Sequence, residues 1–236
     1  MNMSTWLYRA CIWCGPGLMA VLLVGLVFAD WFPPPSPAES ATAIAQHYQH
    51  HTTGIRVGAL LIAAAGTMFG PFSAAIAVQL KRIHAQAAVF AYLELCMGAL
   101  WSLGIVVPAS FWMVAAFDPD RDPQITRALH VAGWLPFVAM VFPLMVAHLS
   151  IAAATVLDAR REPVFPRWIA YLNVWIALLL APGVLTLFFK TGPFSWNGIL
   201  TFWLAATAEG LWFCVMCAVL HRAINRQIAE KPTPVP

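Results

Sequence analysis

Charge is what this sequence has least of: 10% of its 236 residues are Asp, Glu, Lys or Arg, where a soluble domain carries about 25%. With 61% of residues hydrophobic, that scarcity excludes a water-soluble globule. Motifs are missing too. There is no Walker phosphate loop, dinucleotide fingerprint, H-E-x-x-H or G-x-S-x-G, which removes most enzyme classes that announce themselves by motif. The apolar segments are about 20 residues or longer and lack the alternation of barrel strands, so helices are preferred over a membrane barrel. Nor is there room for a second domain: the longest non-membrane segment runs from Phe32 to Gly54, and residues 1–236 read as a single membrane domain.

What the chain does have is long apolar runs, and a helix crosses a bilayer in about 20 residues. The runs predict an all-α polytopic bundle of six transmembrane helices: Cys11 to Trp31, Val57 to Leu80, Ala87 to Phe117, Val131 to Leu157, Trp168 to Phe189, and Ile199 to Leu220. The third exceeds what a bilayer requires, and Pro108 is expected to split off a tilted or interfacial extension. Arg9, the apolar stretch and Val27-Phe28-Ala29 imitate a signal peptide, but the stretch is longer than a signal core and is read as a retained span.

Basic residues set the orientation. Arg9, Lys81, Arg82, Arg160, Arg161, Arg167, Arg222, Arg226 and Lys231 fall on one side; Arg56, Arg121, Arg127 and Lys190 fall on the other with Asp30, Glu39, Asp118, Asp120 and Asp122. Both termini are therefore expected in the cytoplasm, with the protein in a bacterial inner membrane. The net charge of +3 follows from this topology and indicates no nucleic-acid partner.

Local signals add detail. Ser36-Pro37-Ala38-Glu39 after the Pro33 to Pro35 run reads as a helix N-terminus. It predicts a short interfacial helix to about His51, with Ile44 and Tyr48 on its apolar side. Asp122-Pro123 reads as the cap of the fourth helix. Pro71, Pro108, Pro136, Pro143 and Pro182 lie inside spans and are expected to kink them. Gly66 and Gly70, with Ala59 and Ala63, predict a close helix-packing face.

Ionisable groups inside spans are the best functional lead, because a charged carboxylate at mid-helix costs roughly 2.5 to 3.5 kcal/mol. Glu209, deep in the last span, must face the interior, pair, or carry a proton. Glu94, His148 and Asn173 come from three other spans at similar depth, so the four are expected to form one polar site for protons, a cation, a metal or a polar head group. Trp101 and Trp212 share helix faces with Glu94 and Glu209 and would wall that pocket.

Other constellations are weaker. Cys11 and Cys14 in the first span and Cys214 and Cys217 in the last form two C-x-x-C pairs, an alternative thiol or metal site set against inert packing. His148 with His221 or His84 is the one axial pair available for a b-type haem. His47, His50 and His51 suggest a surface Zn or Ni site, but no cysteine or carboxylate closes the set locally. Asp118, Asp120 and Asp122 imitate a calcium loop that Pro123 and Leu129 then break.

The expected function is binding or transport of a small lipophilic molecule through the intramembrane polar pocket, with proton coupling through Glu209 and Glu94. Two alternatives stay open. One is a membrane-embedded enzyme using Glu94, His148 and Glu209 as acid, base or metal ligands on a lipid-soluble substrate. The other is an accessory or structural subunit. Expected partners are the lipid bilayer, the lipophilic ligand, and a second copy or partner subunit. No cofactor is the first expectation, with metal or haem as alternatives.

Overall fold

The computed structural model describes residues 3–83 and 88–229, among which every regular element is helical. His84, Ala87 and Lys231, invoked above for haem ligation, a span start and the orientation, lie outside the described residues. Six helical units are long and apolar enough to cross a membrane: Thr5–Phe28, Thr52–Lys81, Ala88–Phe117, Pro123–Val156, Trp168–Leu187 and Ile199–Ala229. The chain is an all-helical bundle whose six long apolar units suggest an integral membrane protein. Large apolar side chains such as Trp13, Leu60 and Leu211 stand exposed on its outside, as a lipid-facing surface requires.

Helix α1 (Met3–Phe28) begins well before Cys11, so the first cysteine pair lies inside the helix instead of opening it. It ends in a paired C-terminal lock: Trp31 N–H donates to Leu26 O (2.9 Å) and Asp30 N–H to Val27 O (3.1 Å), with Asp30 in the left-handed region at φ 54°. This is the arrangement that usually takes glycine. Its result is that Trp31 folds back into the core, 1% exposed, instead of ending the span.

Helix α2 (Ala41–His50) follows, and its start corrects the capping expectation. Ser36 N–H does donate to Glu39 Oε1 (3.0 Å) and Ala38 N–H to Ser36 Oγ (3.2 Å), but these bonds close a single turn. Ser40 is the real cap, its hydroxyl accepting from Ala43 N–H (3.1 Å). Ile44 and Tyr48 are buried as expected, and the helix packs chiefly on α5. Only His51 separates it from α3 (Thr52–Lys81).

Helix α4 (Ala88–Phe117) runs unbroken through Pro108, so the expected split does not occur. Helix α5 (Pro123–Ala139) is capped by Asp122, whose carboxylate accepts from Gln124 N–H (2.8 Å). It stops before Met140 and Val141, and α6 (Phe142–Val156) resumes at once. Pro143 explains the interruption, since it has no N–H for the Ala139 carbonyl and its ring crowds that oxygen. Helix α7 (Trp168–Leu180) tightens at Pro182 into a 3₁₀ segment, Ala181–Leu187. A wide π-turn, Ile199–Trp203, opens α8 (Leu204–Ala229).

Helix α3 is the centre, packed against α1 and α4. Its tightest crossing uses glycines other than the expected pair. A Cβ on Gly25 would stand 2.8 Å from the Gly58 carbonyl oxygen, so α1 and α3 meet backbone to backbone. Gly66 does face α4, where a Cβ would come within 3.0 Å of Ile105, but Gly70 has nothing within 4 Å and is not part of the face. Ala59 is buried and Ala63 half-buried.

Candidate functional site

Three helices bring the polar cluster together. His148 on α6 is fully buried, with Nδ1 3.0 Å from Asn173 Oδ1 on α7 and Nε2 2.8 Å from Glu209 Oε1 on α8. The Trp212 indole N–H, which can only donate, reaches Asn173 Oδ1 at 3.0 Å, and Asn173 Nδ2 donates to the Ile169 carbonyl (2.8 Å). Those two bonds fix the amide with its oxygen toward His148. His148 Nδ1 must therefore carry a hydrogen, and its Nε2 faces Glu209 across one shared proton: either imidazolium to carboxylate, or acid to imidazole. Trp212 also sets its ring edge against the imidazole, centroids 4.6 Å apart.

Glu94 on α4 is buried beside this dyad, within electrostatic reach of His148 and Glu209, but its hydrogen bond goes elsewhere. Ser73 on α3 donates toward the Glu94 carbonyl (3.0 Å) and Oε1 (3.1 Å). Gly98 makes that approach possible, because a Cβ there would collide with Ser73 Oγ. Glu94 Oε2 and Glu209 Oε2 are buried without a partner. Trp101 stays out of the cluster and packs on Phe69, centroids 4.8 Å apart.

Both ring nitrogens of His148 have protein partners. Among the described residues, Glu94, His148 and Glu209 do not form a set of ligand atoms within 4.8 Å of one another, and neither do Cys11, Cys14, Cys214 and Cys217. All four thiols are free; Cys214 is exposed while Cys217 is buried, so that C-x-x-C pair splits between two environments. His221 Nδ1 is held by the Cys217 carbonyl (2.8 Å) on its own helix.

The opposite end of the bundle, around Trp31, holds what the sequence did not reveal. Trp31 packs against Trp112 (4.9 Å), Trp134 (5.7 Å), His130 (5.8 Å) and Tyr48 (6.0 Å). Gly133 gives the Trp112 indole its space. The Tyr48 hydroxyl pairs with His130 Nδ1 (3.2 Å), and burial pushes the phenol well above its usual range, so it stays a neutral hydroxyl. Trp31 Nε1, Trp134 Nε1 and His130 Nε2 are buried without partners.

Two cavities open at this end. One of about 620 Å³ lies along α5 and the 3₁₀ segment, walled by Val131, Leu135, Leu187 and Phe189 with Arg127 and Lys190 beside them. The second, about 390 Å³, is bounded by Asp30, Trp31, Glu39, His47, His130 and the proline run. The Trp196 indole donates to Pro35 O (2.8 Å) and pins the proline loop between the two. Neither cavity is lined by the His148 cluster.

Comparison with known proteins finds no matching family model, no similar curated protein and no similar solved structure.

Proposed function

We propose that this chain binds and moves a small, largely apolar molecule, and that the proton between His148 and Glu209 is coupled to the movement. The observation that carries the reading is the buried dyad itself, with one imidazole nitrogen committed to Asn173 and the other 2.8 Å from Glu209. A group oriented this firmly around one mobile proton is how proton relays in membrane proteins are built.

The helices support it. Those carrying His148, Asn173 and Glu209 are the interrupted ones, broken at Met140 and Val141, tightened at Ala181–Leu187 and widened at Ile199–Trp203. Along the chain each irregular segment falls between a cluster residue and residues lining the 620 Å³ cavity, and the 3₁₀ segment itself contributes Thr186 and Leu187 to that lining. Irregular backbone of this kind lines substrate paths in transporters. The apolar wall suits a lipophilic body, and Arg127 and Lys190 suit an anionic head.

On the same reading the termini are cytoplasmic in a bacterial inner membrane, α2 lies along the outer interface, and the cavities face outward. The dyad equally has the form of an acid and base for a membrane-embedded enzyme, which would show pH-dependent turnover without accumulation.

The test uses radiolabelled phenylbutyrate, an apolar ring on a carboxylate. Vesicles containing the protein, under an inward proton gradient, are expected to take it up above empty vesicles. Glu209→Gln, which keeps the shape of the side chain, is expected to lower that uptake at least tenfold while the protein stays monodisperse and helical. Equal uptake by wild type and variant would remove the dyad from the mechanism.

A further inference from the structure

Asp30 supplies what the histidine-rich stretch lacks in the sequence. It sits just past α1 with its backbone in the left-handed region, close to the end of α2, where His47 and the capping residue His51 lie one helical turn apart. The ligand-capable atoms of Asp30, His47 and His51 all lie within 4.8 Å of one another, the one such set among the described residues. Asp30 Oδ2 is 3.7 Å from His51 Nε2, too long for a hydrogen bond. Two donors on one tetrahedral zinc ion stand about 3.3 Å apart, given metal–ligand bonds of about 2.0 to 2.1 Å. The gap between Asp30 and His51 is thus within a small side-chain adjustment of that spacing.

We infer that Asp30, His47 and His51 form a binding site for a divalent first-row metal ion, Zn²⁺ in the first instance, at the mouth of the 390 Å³ cavity.

The ligand set is two imidazoles and a carboxylate, which suits Zn²⁺ and its neighbours and leaves further positions open. His47 Nε2 lies 3.1 Å from the Ala29 carbonyl. Either tautomer of that ring serves. If Nε2–H donates to Ala29, Nδ1 offers its lone pair and the carbonyl acts as the orienting partner that ligating histidines usually have. If Nε2 binds the ion, the carbonyl oxygen is placed as an additional ligand. Glu39 lines the same cavity and adds negative charge near the ion. Open coordination positions would face a cavity that also contains His130, whose Nε2 is buried and unpartnered. The site is independent of the proton dyad, which shares none of its residues.

The test is calorimetric titration of ZnCl₂ into the purified full chain in detergent, stripped with chelator and carrying no polyhistidine tag. One Zn²⁺ per chain is expected. His47→Ala and His51→Ala should each weaken binding by at least about a hundredfold, at or above the upper end of what loss of an orienting partner costs. Asp30→Asn should weaken it measurably, and His50→Ala, the neighbour outside the set, should not. Co²⁺ gives a second readout that does not depend on variants folding: wild type should show visible d–d bands without thiolate charge transfer in the near ultraviolet. Absence of stoichiometric binding, a thiolate band, or undiminished binding by the His47→Ala/His51→Ala double variant would each overturn the assignment.

Discussion

Asn173→Leu isolates the part of the cluster that orients His148. Leucine has the same heavy-atom branching as asparagine, though it is bulkier, and accepts no hydrogen bond, so the substitution strands two fully buried donors: His148 Nδ1–H and the Trp212 indole N–H, each 3.0 Å from Asn173 Oδ1. An orphaned buried donor costs about 1 to 3 kcal/mol. Interhelical hydrogen bonds inside membranes average nearer 0.6 kcal/mol, because the separated helices also find partners. Weighing the two gives about 2 to 4 kcal/mol for Asn173→Leu. Trp212→Phe alone should cost about 1 kcal/mol for the lost bond, plus a packing loss that is the same in either background. In the Asn173→Leu background, however, Trp212→Phe removes a stranded donor instead of a satisfied one. The double variant should therefore be more stable than additivity requires, by about 1 to 3 kcal/mol. Reversible unfolding in mixed micelles, followed by circular dichroism, measures all four corners of the cycle. Strict additivity, or an Asn173→Leu cost below about 0.5 kcal/mol, would refute the claim that Asn173 holds His148 through its amide oxygen.

Two further outcomes test the packing and the loop at the end of α6. Gly25→Ala places a methyl 2.8 Å from both the Gly58 carbonyl and Ile62 Cγ1, and should cost about 1 to 3 kcal/mol. Gly70→Ala meets nothing within 4 Å and should be neutral or stabilise by up to about 1 kcal/mol; thermal midpoints in detergent separate the two, and the reverse order would sink the packing account. Burial alone would raise the Asp158 carboxyl, but bonds from the Arg160 side chain and the Val164 and Arg160 N–H groups outweigh it and hold the group below its ordinary range. Its contribution is thus present above the unfolded value, about 3.9, and lost as pH falls through the lower folded one. Asp158→Asn should cost about 1 to 2 kcal/mol at pH 7, and the difference from wild type should close below about pH 4; a gap unchanged down to pH 3 would refute it.

The spans were legible because hydropathy and length alone select them, whereas their ends were not. Hydrogen-bonded helix continues past the apolar window wherever nothing stops it, as at Thr52 and Ala229. Asp122-Pro123 worked as a start signal, since its carboxylate caps the helix it precedes. The Ser36 signal failed because Ser40 competes four residues later and wins the cap. Glu94, His148, Asn173 and Glu209 stood out by polarity in apolar sequence. Ser73 did not, because a serine in a span ordinarily bonds its own helix, as Ser102 does to Gly98 O and Ser150 to Val146 O. Only the neighbouring Gly98 tells Ser73 apart, and that contact is tertiary. Asp30 was invisible for the same reason: its approach to His47 depends on a left-handed turn and the packing of α2.

The bundle divides where the cluster lies. Helices α1, α3 and α4 are continuous through Pro16, Pro71 and Pro108, and the glycine contacts at Gly25, Gly58 and Gly66 hold α1 and α4 tightly on α3. Proline is therefore accommodated within continuous helix on this side, whereas Pro143 and Pro182 accompany the interruptions on the other. On the other side the irregular segments lean on one another: Gly183 of the 3₁₀ segment sits where a Cβ would come within 2.9 Å of the Val138 carbonyl and of Val141, at the break between α5 and α6. Ser73 and Glu94 belong to the continuous side, and His148, Asn173 and Glu209 to the interrupted one. Moving the interrupted side against the continuous one would change the distance from Glu94 to the dyad while leaving the bonds among His148, Asn173 and Glu209 intact. The unpartnered Oε2 atoms of the two glutamates are then the groups whose surroundings change. On the proposed function, a proton shared between His148 and Glu209 would feel that change directly, which would link a proton to a shift of helices without requiring a ligand to touch either glutamate.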